Sequence, residues 1–185
     1  MVLLKSEICE FGKKLPSFSL KNIDDIYYNQ EMIIGKKGTL IFFICNHCPY
    51  VKAIITKLVD TVKELKKVGI NSVGIMPNDF VKYPEDNFEK MKAFSKENNF
   101  DFPYLLDETQ NVAKDFGAVC TPDFFGYNFK NELQYRGRLS EMKGLEIQNE
   151  KNELLNAMKL IVSTNKGPLN QFPSAGCSIK WKADI

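Results

Sequence analysis

The hydrophobic and polar positions predict a strand–helix–strand unit in the first half of the chain. Residues 39–44 form a continuous apolar run rich in β-forming side chains, which is typical of a strand buried on both faces. A second apolar run, residues 70–76, predicts the next strand. Between them the apolar residues recur at helical spacing, so we expect a long amphipathic helix that stops at Gly69. Its apolar face consists of Val51, Ile54, Ile55, Leu58, Val62 and Leu65.

The second half of the chain predicts shorter elements. The expected order is a loop over 77–83, a helix over 85–98, a strand over 102–106, a helix over 109–116 closed by Gly117, a hairpin of 123–129 with 133–138 that turns at Lys130 and Asn131, and a last helix around 154–162. Residues 1–38 are irregular apart from short strands such as 17–20, and we treat them as an N-terminal extension. Residues 165–185 form a C-terminal tail punctuated by Pro and Gly.

Composition and charge narrow the class of protein. A chain of 185 residues with 44% hydrophobic and 26% charged residues predicts one globular domain, residues 1–185. The net charge is +2 and the basic residues are dispersed, so we expect no nucleic-acid partner and no membrane partner. No apolar run approaches a membrane span, and the N-terminus lacks the pattern of a secretory signal. We therefore expect a cytoplasmic protein.

The cysteines carry the candidate chemistry. Five are present, an odd number in a chain that is not small, so a structural disulfide framework is not expected. In a reducing compartment, closely spaced cysteines more often indicate redox chemistry or a metal. They are Cys9, Cys45, Cys48, Cys120 and Cys177, of which we interpret Cys9 as structural or incidental.

The segment Cys45-Asn-His-Cys-Pro-Tyr50 lies between the first predicted strand and the long helix. Unpaired N–H groups and the positive end of the helix dipole favour a thiolate there, and the thiolate is the form that attacks disulfides. We expect Cys45 to be the exposed thiol of lower pKa and Cys48 the buried one. His47, the only histidine in the chain, would add positive charge near Cys45 when protonated. The competing interpretations are two buried core cysteines and a surface histidine without a role.

A second segment, Val119-Cys-Thr-Pro-Asp-Phe124, precedes the predicted hairpin. With both segments in hand, the chain resembles the thioredoxin superfamily, and more narrowly the alkyl hydroperoxide reductase/thiol-specific antioxidant (redoxin) branch. The resemblance covers nearly the whole chain and rests on residues 43–51, 76–79, 83–86, 102–110, 117–123, 135–138 and 176–181.

The resemblance implies an α/β fold of the thioredoxin-like type, a central mixed β-sheet flanked by helices, with a helical insertion around residues 77–101. It also implies that Cys45 attacks, that Cys48 resolves and that Pro122, after Thr121, is a cis-proline. Thr121, Cys120 and Cys177 are candidate accessory residues. Cys120 is favoured as a packed small hydrophobe, and Cys177 stays open between a third redox thiol and a tail residue.

The branch contains both oxidoreductases and peroxidases. The peroxidase pattern Pro-x-x-x-Thr-x-x-Cys, aligned on Cys48, meets Ile41 and Cys45 instead of Pro and Thr, and residues 121–129 contain no Arg. We therefore expect a thiol–disulfide oxidoreductase of cell redox homeostasis, without cofactor or metal. Its partners would be a protein or small-molecule disulfide and a thiol electron donor, and the oligomeric state stays open.

Two alternatives remain. One is a thiol peroxidase, an antioxidant similar to peroxiredoxins. The other is a metal-binding module that uses Cys45, Cys48 and His47, with Cys120 as a further candidate ligand, because thiolates and imidazole suit zinc or copper(I).

Overall fold

The computed structural model describes residues 3–183 and places a mixed sheet at the centre of the protein. The strands are β1 (Leu3–Lys5), β2 (Ser19–Asn22), β3 (Tyr27–Asn29), β4 (Gly38–Phe43), β5 (Ile70–Met76), β6 (Tyr104–Leu106), β7 (Cys120–Thr121), β8 (Asp123–Asn128), β9 (Leu133–Arg136), β10 (Met142–Lys143), β11 (Glu146–Ile147) and β12 (Ala175–Ser178). The helices are α1 (Gln30–Ile33), α2 (Pro49–Lys67), α3 (Phe88–Glu97), α4 (Asn111–Phe116) and α5 (Glu153–Thr164), and a 3₁₀ turn covers Pro84–Asp86.

The central sheet has seven strands in the order β3-β2-β6-β5-β4-β8-β9. β4, β5 and β6 are parallel, whereas the other pairs are antiparallel. All six residues of β4 are buried, which its uninterrupted apolar sequence predicts. The expected α/β fold with a mixed sheet flanked by helices is therefore confirmed.

The core divides into two layers, one on each face of the sheet. On one face, α2 packs on β5 and α5 packs on β4 and β8, and the layer includes Leu40, Phe42, Leu58 and Met158. On the other, Phe116 of α4 packs with the alternate residues of the same strands. Because successive side chains of a strand point to opposite faces, neighbouring residues of β4 and β8 enter different layers.

The predicted elements are present with shifted ends. β5 matches its predicted range, the long helix is α2, and the hairpin is β8 with β9. The helix expected over 85–98 is divided, because a 3₁₀ turn covers Pro84–Asp86 and the side chain of Asn87 then caps α3 by accepting from the N–H of Lys90. The helix expected over 109–116 starts at Asn111, and the strand expected over 102–106 starts at Tyr104.

The two chain ends are more ordered than the sequence indicates. β2 and β3 extend the central sheet, so the first 38 residues include two of its strands. In the tail, β12 lies between β1 and β7 in a separate three-stranded sheet. The remaining ends of the predicted extension and tail, residues 1, 2, 184 and 185, lie outside the described residues.

Two further features concern the expected cis-proline and the expected absence of a membrane span. The peptide bond between Thr121 and Pro122 is cis, as the resemblance implies. Within residues 3–183, the structure contains no helix long and apolar enough to cross a bilayer.

Candidate active site

The cysteine pair lies where β4 ends and α2 begins. Cys48 is the N-cap of α2, and Pro49 occupies the first helical position, where its missing N–H leaves no intrahelical bond unmade. The helix N-terminus is therefore centred on Cys48, three residues later than the position expected from the sequence. Cys45 precedes it in the loop after β4.

Three thiols meet at this point, and we refer to Cys45, Cys48 and Cys177 as the thiol cluster. The Sγ atoms of Cys48 and Cys177 are 3.0 Å apart, and Cys48 Sγ lies 3.2 Å from the carbonyl oxygen of Thr121. Cys45 Sγ is 3.4 Å from the Thr121 hydroxyl. The structure thus brings together four of the candidate residues, and within residues 3–183 no cysteine is joined in a disulfide.

The thiol cluster is closed to solvent. Cys45 is 1% exposed, Cys48 0% and Cys177 2%. The expectation that Cys45 is the exposed member of the pair is wrong, whereas Cys48 is buried as expected. A large substrate cannot touch either sulfur of the pair without movement of the surrounding chain.

The pKa values reverse the expected order of the pair. The pKa of Cys48 is lowered to about 5, first because the Cys45 thiol donates a hydrogen bond to it, and then through donation by the Cys177 thiol and the N–H groups of Val51 and Cys177. The pKa of Cys45 is raised by burial, by the bond to Cys48 and by the charge of Asp86. Cys48 is therefore the better thiolate.

Asp86 is a site residue that the sequence argument missed. Its carboxylate is fully buried and lies 2.7 Å from His47 Nδ1. It also accepts from the Asn46 backbone N–H at 2.8 Å and from Asn78 Nδ2 at 2.7 Å. The only sign in the sequence is the acidic start of the segment after Tyr83, and charge pattern does not reveal which of those acids turns inward.

His47 pairs with this carboxylate, and its ring stacks on Tyr83 with a centroid distance of 5.9 Å. Asp86 raises the pKa of His47, mainly through the hydrogen bond between them. The positive charge expected to act on Cys45 is therefore compensated locally. Asp86 acts on Cys45 in the opposite sense, since a nearby negative charge disfavours a second one.

Cys120 and Cys9 lie outside the thiol cluster. Cys120 Sγ is 3.6 Å from the carbonyl oxygen of Pro122, and burial raises its pKa far above the usual range. Burial likewise raises the pKa of Cys9 to about 11. Both are consistent with packed, unreactive thiols.

The chain has two arginines, and neither has a described contact with the thiol cluster. Arg136 donates to the carbonyl oxygen of Gly117 at 2.6 Å and pairs with Asp123 on the α4 face of the sheet. Arg138 forms two hydrogen bonds to the carboxylate of Glu153. Any donor to a substrate at Cys48 must therefore come from other groups.

One set of groups in residues 3–183 has the arrangement of a metal site. Ligand atoms of Cys45, His47 and Asp86 lie within 4.8 Å of one another. A soft thiolate with an imidazole and a carboxylate suits Zn²⁺. The set differs from the one expected, because Asp86 takes the place given to Cys48 and Cys120.

Two clefts flank the thiol cluster. One, of about 400 Å³, is lined by Pro122, Tyr50 and apolar side chains of β1 and the segment before β12. The other, of about 550 Å³, is lined by Asn46, His47 and residues of α3. The cysteine sulfurs are not among the lining atoms of either cleft, so the cluster lies behind both.

The topology defines a thioredoxin-like fold, which solved disulfide oxidoreductases of low sequence identity share. The profile of the AhpC/TSA family matches residues 11–139. The chain therefore belongs to the AhpC/TSA family, a family of thiol-based redox enzymes within the thioredoxin superfamily.

The individual relatives include peroxiredoxins. Peroxiredoxin Bcp of Escherichia coli is 27% identical over 118 residues, which cover 64% of this chain and 70% of that protein. Peroxiredoxin Q of Populus jackii, a chloroplastic protein, is 29% identical over 115 residues, 62% of this chain. The match spans about half of that relative's length, 49%.

A solved structure covers the whole chain. An uncharacterized conserved protein from Geobacillus kaustophilus is 37% identical, with a TM-score of 0.92 over 100% of this chain and 99% of that one. The likeness therefore includes the parts of the chain beyond the family profile, β1 at one end and the segment from residue 140 through α5 and β12 at the other.

Proposed function

We propose that the protein is a thiol peroxidase in which Cys48 attacks a hydroperoxide and a neighbouring thiol resolves the product. This is the alternative from the sequence argument, and it replaces the disulfide reductase as the main activity. The observation that carries it is the fully buried Cys48 at the N-cap of α2, with a pKa lowered to about 5.

Burial favours a small oxidant over a protein substrate. A macromolecular disulfide has to bring its sulfur into line with the attacking thiolate, and Cys48 is 0% exposed. β12 pairs with β7 beside Pro122, so this edge of β7 is not open to a substrate strand. A hydroperoxide has only a few atoms to admit, so smaller movements suffice.

The relatives support the same choice. The curated relatives that match the chain at 27% and 29% identity carry the name peroxiredoxin.

The donors near Cys48 predict a modest peroxidase. Fixed donors that polarise the O–O bond stabilise the charge that develops on the leaving oxygen. Here the donors to the attacking sulfur are the thiols of Cys45 and Cys177 and the backbone N–H groups of Val51 and Cys177, and both arginines are engaged elsewhere. We expect turnover slower than in a site with a free arginine.

Disulfide exchange then serves regeneration. After the thiolate of Cys48 has reduced the hydroperoxide to an alcohol or water, the resulting sulfenic acid condenses with a thiol, such as Cys45, and releases water. A thiol electron donor in a reducing compartment would then reduce the disulfide to the two thiols. The proposal therefore keeps the cytoplasmic location and the thiol partner expected from the sequence.

The test compares hydrogen peroxide consumption, with dithiothreitol as reductant, among single variants. Cys48→Ser should fall to the uncatalysed background because the nucleophile is gone. Cys45→Ser should still consume at least one equivalent of peroxide per protein. Cys120→Ser, a buried thiol outside the cluster, is the matched control and should retain the wild-type rate.

A protein disulfide offered in parallel should be reduced more slowly than peroxide. Rapid reduction of that disulfide, lost in Cys45→Ser and accompanied by no consumption of peroxide, would return the disulfide oxidoreductase as the main activity.

A further inference from the structure

β12 carries a cysteine from the tail into the candidate active site. It pairs with β1 on one side and with β7 on the other, and Cys177 lies opposite Thr121 in the register. The pairing brings two sulfurs separated by 129 positions in sequence to within 3.0 Å. The C-terminal tail therefore forms part of the candidate active site.

The position of β12 is closely fitted. A Cβ atom built at Gly176 would lie 2.1 Å from the carbonyl oxygen of Thr121 and 3.0 Å from Pro122 Cδ, so only glycine allows this approach. Backbone bonds hold the segment before and after the strand, from Ser6 to Ser174 at 2.9 Å and from Ile179 to Val119 at 3.1 Å. Cys177 is therefore held at Cys48 by ordered backbone.

Two thiols lie next to Cys48, and their charged surroundings differ. Cys45 faces the buried carboxylate of Asp86, which disfavours the thiolate needed for attack. Cys177 has Lys180 three residues away, whose charge favours the thiolate, although burial raises its pKa to about 12 overall. As a thiol attacks, negative charge develops on its sulfur, and a nearby ammonium stabilises that charge.

We infer that Cys177 is a second resolving thiol, which attacks oxidised Cys48 and forms a Cys48–Cys177 disulfide. The inference rests on the proposed function for its first step, in which Cys48 takes one oxygen from a hydroperoxide and becomes a sulfenic acid. The Cys177 sulfur then bonds to the Cys48 sulfur. The hydroxyl group of the sulfenic acid leaves with the Cys177 proton as water, so that the two sulfurs together have supplied the two electrons.

The same geometry gives a return path. Attack by Cys45 on Cys48 breaks the Cys48–Cys177 bond, transfers the proton of Cys45 to the departing Cys177 and leaves a Cys45–Cys48 disulfide, with no net oxidation. An external thiol reductant, itself oxidised to a disulfide, then restores both cysteines. Cys48 takes part in both disulfides, because its sulfur contacts those of both Cys45 and Cys177.

The experiment uses Cys45→Ser, in which Cys177 is the remaining thiol at Cys48. The reduced variant receives one equivalent of hydrogen peroxide, free thiols are blocked after denaturation, and peptides are mapped by mass spectrometry. We expect a Cys48–Cys177 disulfide in most molecules. The double variant Cys45→Ser/Cys177→Ser should accumulate sulfenic acid at Cys48 that reacts with dimedone, whereas Cys45→Ser/Cys120→Ser should behave as Cys45→Ser.

A parallel sample treated with diamide separates the two proposals, because diamide oxidises two thiols to a disulfide without peroxide chemistry. If diamide gives the Cys48–Cys177 bond and peroxide leaves Cys48 reduced, the pairing stands and the peroxidase proposal fails. If Cys48 becomes a dimedone-reactive sulfenic acid in Cys45→Ser and no Cys48–Cys177 bond forms with either oxidant, the inference is overturned.

Discussion

Two buried polar groups lie on opposite faces of the central sheet. They are the thiol cluster with Thr121, and the ion pair of Asp123 with Arg136. On the α2 face, the thiol cluster contacts Thr121. On the α4 face, Asp123 pairs with Arg136, whose guanidinium also lies over the ring of Phe125. Thr121 belongs to β7, which pairs with β12 in the separate three-stranded sheet, whereas Asp123 begins β8 of the central sheet.

Burial of a thiol and its activation as a nucleophile are separate properties in this protein. Cys120 and Cys48 are both 0% exposed, yet burial raises the pKa of one far above its usual range, while donors lower the pKa of the other to about 5. Burial raises the pKa of Asp123 to about 7 even though Arg136 opposes the shift. Solvent exclusion alone makes a thiol inert, and the donors around Cys48 are what make it a nucleophile.

The largest expected effect is on stability, at the α4 face. Arg136→Met leaves Asp123 buried without its partner, and breaking a buried ion pair costs about 3–5 kcal/mol. We expect the free energy of unfolding in urea to fall by that amount at pH 9, where Asp123, with a pKa of about 7, is ionised in the wild type. The reaction of Cys48 with peroxide should stay within about twofold of wild type, because a residue without contact to the site has little influence on it.

Arg136→Met/Asp123→Asn is the matched control and should recover part of the lost stability, since no unpaired charge remains in the core. A loss of peroxide reactivity that persists in this restored double variant would show that the two faces are coupled. It would contradict the claim that the Asp123–Arg136 pair does not influence Cys48.

The second effect is on the pH dependence of Cys48. Because its pKa is lowered to about 5, the rate of alkylation of Cys48 should be nearly constant from pH 6 to 8 and fall as the pH drops through 5. A thiol of ordinary pKa, near 8.5, would instead gain about tenfold in rate per pH unit over that window. Iodoacetamide labelling with peptide mapping measures both.

Cys45→Ala supplies the control, because it removes the main donor to Cys48. Its labelling curve should move to higher pH. A wild-type curve that rises steeply between pH 6 and 8 would contradict the assignment of Cys48 as the thiolate.

Sequence reasoning identified what is local and missed what is brought together over long distances. β4, β5 and α2 follow from apolar periodicity, and the hairpin follows from its turn residues. The expected pKa order of the two cysteines was wrong, although Pro49 carried a usable signal. Proline favours the first position of a helix, which makes Cys48 the N-cap.

Asp86 and Cys177 could not be placed in this way. Asp86 reaches the site because the segment after β5 folds back on the loop of Asn46 and His47. Cys177 reaches it through β12, a four-residue strand whose Pro- and Gly-rich surroundings resemble a loop. Short strands are specified by the edges with which they pair, and the sequence of the strand itself contains little of that information.

The smallest expected effect concerns His47 and Asp86, the charged edge of the thiol cluster. Asp86 raises the pKa of His47 in the folded protein, so the pair stabilises the fold fully below the unfolded pKa of about 6.5. That stability is lost as the pH rises through the raised folded pKa. His47→Ala should therefore lower the free energy of unfolding by about 1 kcal/mol at pH 6 and by less at pH 9.

Urea unfolding of the wild type and His47→Ala at both pH values measures the difference, with Asp86→Asn as the matched variant that removes the other partner. Since His47 is the only histidine, its titration followed by NMR gives an independent readout, and its pKa should be lower in Asp86→Asn than in the wild type. Cys48 should keep its flat labelling profile in His47→Ala, because its donors are Cys45, Cys177 and backbone N–H groups. A destabilisation of equal size at both pH values would mean that His47 contributes only packing on Tyr83. A labelling profile of Cys48 displaced to higher pH would instead restore the direct electrostatic role that the sequence suggested for this histidine.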